Sequence, residues 1–175
     1  MMVKNLTRKF MGRRNASHSF LLFLLSILTF SCGERKSPLN EDVNINKRLT
    51  ELIMKSSDTI EIGNNFRDEF DTLYIFSPYY PIDSIEKQTK IDLNDLTWGR
   101  NLRSHQKDLA SVNENTNLLL FKKNGTLNKY CLYQRVEGDF SKITKQMFLS
   151  KDATFVKKIA GDSTRRWLYL INTIE

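Results

Sequence analysis

Apolar positions in the chain follow two rhythms. Between Asp42 and Lys55, Ile45, Leu49, Leu52 and Ile53 recur at helical spacing, with Lys47, Arg48, Glu51 and Lys55 between them. That spacing predicts an amphipathic helix ending near Ser56-Ser57-Asp58. A short β-like run, Thr59 to Ile62, follows and stops at the turn cluster Gly63-Asn64-Asn65. The rhythm then alternates: Phe70, Tyr74 and Phe76 share one face of a strand, and Leu73 and Ile75 share the other. Apolar residues on both faces predict a central strand. Pro78 ends it, because it has no N–H for a ladder bond. Asp83 lies three before Glu86, the spacing of a capping box, which predicts a short helix over about Ser84 to Thr89.

The second half is dominated by strands. Ile91 to Asn117 is polar, with Leu93, Leu96, Trp98 and Leu102 as its anchors to the core and a helix expected around Leu102 to Val112. Leu118 to Phe121 is fully apolar and is followed by Asn124-Gly125, which favours the left-handed angles of a type I′ hairpin turn, and then by Thr126 to Gln134. Thr154 to Ile159 and Trp167 to Thr173 are the last strand candidates, with Gly161-Asp162 in the turn between them. Strands that cluster rather than alternate with helices predict an α+β fold. We expect a single domain over residues 41–175, its mostly antiparallel sheet packed by two or three helices.

The N-terminal region has a different pattern. Phe20 to Phe30 is an apolar run of 11 residues, preceded by Lys4, Arg8, Lys9, Arg13 and Arg14 and by no acid. A spanning helix needs about 20 apolar residues. A short apolar run behind a basic segment instead reads as a secretory signal over residues 1–31, whose start is Met1, Met2 or Met11. Leu28-Thr29-Phe30-Ser31-Cys32-Gly33 then resembles the lipobox of bacterial lipoproteins, in which the cysteine is lipidated and the signal is cut just before it. Leu28 sits four before the cysteine and Phe30 is bulky, so the match is to the looser form of Bacteroidota lipoproteins. The resemblance implies cleavage before Cys32, a lipid on Cys32 and a tether over residues 32–40. Plain secretion and an uncleaved anchor are the alternatives. Two or three acyl chains at about 0.8 kcal/mol per buried CH₂ would anchor the protein without any other membrane contact. The tether "GERKSPLN" lacks the acidic run that directs some such lipoproteins to the cell surface, so a periplasm-facing position is expected.

This reading changes the meaning of the charge. The chain has 27 basic and 20 acidic residues, and the signal segment takes 5 basic and no acidic ones. What remains is nearly neutral, so the basicity belongs to targeting and does not point to nucleic acid. Cys131 is left without a disulfide partner and reads as a buried strand residue. A second resemblance rests on "FDTLYIFSPYYPIDSIEK", the following apolar strand, the "KNG" hairpin and "R-x-x-GDF". Together these are similar to a group of small uncharacterised bacterial proteins, often lipoproteins, over roughly Phe66 to Phe155. The resemblance implies a recurring fold and carries no activity with it.

Candidate chemistry is sparse. No G-x-S-x-G, H-E-x-x-H, paired C-x-x-C, phosphate-cradling glycine loop or calcium loop is present, so neither a metal nor a cofactor is implied. Asp68, Glu69 and Asp71 read as a solvated, salt-bridged start to a strand. In Arg135-Val136-Glu137-Gly138-Asp139-Phe140, Gly138 is expected to permit a tight turn, Asp139 to cap the next segment and Phe140 to return to the core. Pro78-Tyr79-Tyr80-Pro81 is the best contact surface, since loops leaving strand ends often carry function and tyrosines make good interface side chains. The expected role is a membrane-anchored binding module that is not an enzyme. It would use Tyr79, Tyr80 and Trp98 against an envelope protein or glycan. An envelope hydrolase built on His105 with Asp and Ser, and an immunity- or inhibitor-type protein, are the alternatives.

Overall fold

Two antiparallel sheets share the work of closing the core. The computed structural model describes residues 37–105, 111–161 and 166–172, with side chains 102–105 and 166 excluded. Cys32 and the signal segment lie outside the described residues. The elements run α1 (Val43–Lys55), β1 (Thr59–Glu61), α2 (Ile62–Asn65), β2 (Thr72–Phe76), α3 (Ile82–Thr89) and α4 (Thr97–His105). Then follow β3 (Thr116–Lys123), β4 (Thr126–Gln134), β5 (Met147–Leu149), β6 (Thr154–Gly161) and β7 (Arg166–Asn172). Two 3₁₀ turns, Leu93–Asp95 and Ser150–Asp152, join them. This is an α+β fold, with four helices among the described residues rather than two or three. Its strands divide into a four-stranded sheet, β4-β3-β2-β5, and a three-stranded sheet, β1-β6-β7.

The larger sheet is buried on both faces. Leu73, Ile75, Leu119 and Phe121 join Ile45, Leu49 and Ile53 of α1 and Phe155 and Leu170 of the small sheet in one apolar cluster. Tyr74, Phe76, Leu118 and Leu120 join Ile82 and Ile85 of α3 with Leu93 and Leu96 in a second. β2 is central, as its two apolar faces require. Phe70 departs from the expected face: the strand starts only at Thr72, and Phe70 packs in the first cluster beside Phe121, with ring centroids 5.5 Å apart.

Local signals explain most element ends. Asp42 caps α1, its Oδ1 accepting from the Asn44 and Ile45 amides at 3.0 and 3.1 Å. The Asn124-Gly125 turn holds φ of 52° and 76°, as a type I′ hairpin demands. Asp83 is not the N-cap that a capping box requires. Pro81 is the N-cap of α3, which starts at Ile82, so Asp83 lies inside the first turn, and the Glu86 carboxylate accepts from the Leu93 amide at 2.9 Å. The helix expected over Leu102 to Val112 instead starts at Thr97, and residues 106–110 lie outside the described residues. Leu39, in the expected tether, is already docked: its N–H donates to the Asp95 carbonyl at 2.7 Å, and its carbonyl accepts from Thr97 at 3.0 Å.

An ion network braces the start of the domain. Glu69 meets Arg48 and Lys129, each at 2.8 Å, and Lys129 reaches Asp42 at 3.1 Å. Lys129, then Arg48, hold the Glu69 carboxyl below its usual range. Partial burial opposes the charged form of Asp42, but the Ile45 amide and Lys129 outweigh it and keep that carboxyl low. Glu69 thus pairs with α1 and β4, and Asp71 accepts from the Asn124 amide at 2.6 Å. Glu69 and Asp71 are thus engaged in holding the fold. Cys131 is fully buried in β4, and burial pushes its thiol well up.

Candidate functional site

The loop after β2 separates its two tyrosines. The Tyr80 amide donates to the Ser77 carbonyl at 3.3 Å, closing a turn with Pro78 and Tyr79 at its centre. Tyr79 has φ 64°, a left-handed conformation that turns of this kind normally give to glycine. Two bonds to the segment before β3 pin it: Tyr79 N–H to the Val112 carbonyl at 2.8 Å, and Val112 N–H to the Tyr80 carbonyl at 3.1 Å. The turn sends the two rings apart. Tyr80 packs inward, its ring 4.9 Å from that of Phe76 and its hydroxyl donating to Gln88 at 3.3 Å. Tyr79 points outward with 65% of its surface exposed, and its hydroxyl donates to the Glu114 carboxylate at 2.9 Å. That acceptor raises the phenol above its ordinary range, so Tyr79 is a neutral donor and a poor nucleophile.

Glu114 connects Tyr79 to a second group. Just past β4, Arg135 donates through Nη1 to the Glu114 carbonyl at 2.9 Å. Its Nε and Nη2 donate to Asp139 Oδ2 at 3.1 and 2.7 Å. The guanidinium also lies 5.4 Å from the centroid of the Trp167 ring on β7. Asp139 has no exposed surface, and its Oδ1 accepts from the Ser141 amide at 2.9 Å. Its backbone is bonded to β7 both ways, N–H to the Leu168 carbonyl and C=O from the Leu170 amide, each at 2.8 Å. Asp139 raises the Arg135 guanidinium further above its ordinary value, so Arg135 is charged at any physiological pH.

Gly138 closes the expected tight turn, its amide donating to the Arg135 carbonyl at 3.1 Å, and it has a packing role as well. Gly138 does not have positive φ; its Cβ would come within 3.1 Å of Leu170 and 3.3 Å of Ile53 and Tyr133. A small residue is needed there so that the Arg135–Asp139 segment can lie against the core.

A face emerges with Tyr79 and Trp167 at its edges and Arg135 and Glu114 between them. Trp167 is 39% exposed, and Arg135 keeps about a quarter of its side chain in water. A guanidinium carries five N–H donors, so Arg135 retains donors beyond those spent on Asp139 and Glu114. Aromatic rings beside a partly free guanidinium can stack on a flat apolar surface and donate to a carbonyl or hydroxyl. Trp98 lies elsewhere: it is half-buried against the cluster that also holds Tyr80, and its amide donates to the Tyr130 hydroxyl at 3.3 Å. The side chain of His105 lies outside the described residues. Of the three tyrosine and tryptophan candidates read from sequence, Tyr79 alone belongs to this face. Glu114 and Trp167 were not singled out, and Arg135 was read only as part of the Arg135 to Phe140 turn segment, although Arg135 and Asp139 at a separation of four were a legible ion pair. No helix among the described residues is long and apolar enough to cross a membrane. Comparison with protein-family models, curated proteins and solved structures finds no match to this chain.

Proposed function

We propose that this chain is a lipoprotein of the bacterial cell envelope, anchored through a lipid on Cys32. In this reading its α+β domain is a binding module that meets an envelope protein or glycan through the face of Tyr79, Arg135 and Trp167. The observation that carries the binding role is Tyr79. It stands in a conformation disfavoured for any residue with a side chain, exposed, with its hydroxyl held by Glu114. A ring placed at backbone strain and left in solvent contributes little to folding, and strain of this kind gathers at ligand-contacting positions. Rigid aromatic groups beside an arginine are also the commonest energetic centres of protein interfaces.

Anchoring gives such a module its mechanism. A lipid at Cys32 confines the domain to a thin layer at the membrane, which raises its effective concentration toward partners in that layer. Leu39 is docked into the fold, so the free tether between lipid and domain is short.

Two experiments test the proposal. Metabolic labelling with a fatty-acid analogue should mark the protein and should disappear in Cys32→Ser. A photo-crosslinking residue placed at 79 or at 167 should give the same discrete adduct in intact cells, and one at Lys87 on the exposed side of α3 should not. Equal adducts from all three positions, or none from 79 and 167, would refute the assignment of the face.

A further inference from the structure

The outer face of the small sheet carries a row of rings between unpaired cations. Leu170 is buried in the core cluster and Leu168 packs against it, so the alternate residues Trp167, Tyr169 and Ile171 of β7 face away from the core. Neighbours in this row step about 7 Å along the strand. The register with β6 sets Ala160 opposite Trp167 and Lys158 opposite Tyr169 on that same face. Ala160 is small and exposed, so no large side chain stands across from Trp167, which keeps 39% of its surface in water. Tyr169 is flanked on both sides. Lys158 stands across from it on β6, and Lys142, from the segment that follows Asp139 along the other edge of β7, brings its Nζ to 5.7 Å from the ring centroid. Both lysines are exposed, and among the described residues neither meets a carboxylate. Arg135 beside Trp167 differs from them, since Asp139 already offsets its charge.

We infer that this face binds an acidic glycan, its sugar rings stacked on Trp167 and Tyr169 and its carboxylates paired with Lys142 and Lys158. The inference narrows the proposed binding role of the Tyr79, Arg135 and Trp167 face to one class of ligand, and it rests on that reading. Charge selects an anion, because two cations without counter-ions flank one ring. The rings select a sugar. C–H groups on the flat side of a sugar carry partial positive charge and pack on the negative face of an aromatic ring. A carboxylate attached to that sugar then lies at the rim of the stack, where the lysines are. An acidic peptide finds no backbone foothold beside the row, because Asp139 occupies the Leu168 carbonyl and the Leu170 amide at the edge of β7. An anionic membrane brings charge without a ring to stack. A single nucleic-acid strand calls for a basic groove that follows its backbone, and two lysines about one tyrosine do not form one.

The test titrates tetragalacturonate, tetramannuronate and tetraguluronate into the purified protein by calorimetry. At least one should bind, and its methyl ester, which keeps the rings and loses the charge, should bind at least tenfold more weakly. Lys142→Gln with Lys158→Gln should bring the acid down to the level of the ester. Lys47→Gln with Lys87→Gln removes two exposed cations from α1 and α3 and should leave binding unchanged. Tyr169→Ser should weaken acid and ester alike, which a purely electrostatic surface would not do. No binding of any of the three at millimolar concentration, equal binding of acid and ester, or tighter binding of hexaglutamate, oligothymidylate or phosphatidylglycerol vesicles than of every sugar would each overturn the inference. Crosslinking from 79 and 167 separates it from the reading beneath it. A discrete adduct that proves to be a polypeptide leaves the binding face standing and overturns the glycan, whereas the absence of an adduct overturns both.

Discussion

Gly63→Ala is the sharpest test of how the two sheets are joined. The chain leaves the small sheet through β1, makes the single turn α2 and enters the large sheet at β2. It returns from β5 to β6 through the 3₁₀ turn Ser150–Asp152. The two crossings meet at Gly63. A Cβ there would lie 1.6 Å from the Ser150 carbonyl oxygen, and both atoms belong to backbone or are fixed to it, so no rotamer change relieves the clash. The Gly63 amide donates to the Ala153 carbonyl at 3.1 Å, and the Ser150 hydroxyl donates to the Gly63 carbonyl at 3.3 Å. Separating the crossings costs an overpacking strain of about 1–3 kcal/mol and weakens two hydrogen bonds at about 1 kcal/mol each. Alanine returns at most about 1 kcal/mol through its better helix propensity. The net loss is roughly 3 kcal/mol. With a urea slope of about 2 kcal/mol/M for a domain of this size, the midpoint should fall by roughly 1.5 M. Urea unfolding followed by circular dichroism measures it. A midpoint equal to or above the parent's would mean that propensity alone governs the site and that the crossings do not touch as described.

Three further outcomes are expected. The lowered carboxyls of Asp42 and Glu69 contribute stability that is present above the ordinary carboxylate range and is lost as pH falls through their folded values. The urea midpoint should therefore drop below about pH 4, and Glu69→Gln should flatten that acid limb. At Tyr79 the positive φ should reverse the usual order of small substitutions, so that Tyr79→Gly unfolds at higher urea than Tyr79→Ala; the opposite order would remove the strain argument. Cys131 should resist alkylation in the native protein and react only as fast as global unfolding exposes it, and rapid native labelling would contradict its burial.

What sequence made legible was local. The stripe Ile45, Leu49, Ile53 named the buried face of α1, Asn124-Gly125 named the hairpin, and the two-sided apolarity of Leu73 to Phe76 named a central strand. Pairing partners were not legible, because periodicity says which way a side chain points and nothing about which strand lies beside it. Thr59 of β1 sits opposite Val156 of β6, and that long-range choice is what splits the strands into two sheets. Phe70 was misread for a related reason: alternation holds only along continuous strand, and the chain bends at Asp71 before β2 begins. The site follows the same division. Tyr79 stood out in its proline-flanked turn, but Glu114 is 35 positions away from it and 21 from Arg135, and Trp167 arrives on a different sheet.

The Arg135–Asp139 pair is best understood through what it positions. A wholly buried carboxylate loses several kcal/mol of hydration, and an apolar pair of similar size would often hold a fold as well. An apolar side chain at 135 could not bond the Glu114 carbonyl and face the Trp167 ring at once, which the planar guanidinium does. Asp139 fixes the guanidinium from the core side through a backbone already locked to β7. Arg135 then fixes the Glu114 carbonyl, and the Glu114 carboxylate fixes the Tyr79 hydroxyl. Order thus passes stepwise from a buried strand to an exposed ring. On the proposed binding role, each side chain already immobilised would spare a partner about 0.5–1.5 kcal/mol of ordering. A buried charge is a poor way to stabilise this domain and a good way to hold Tyr79 and Trp167 ready on one face.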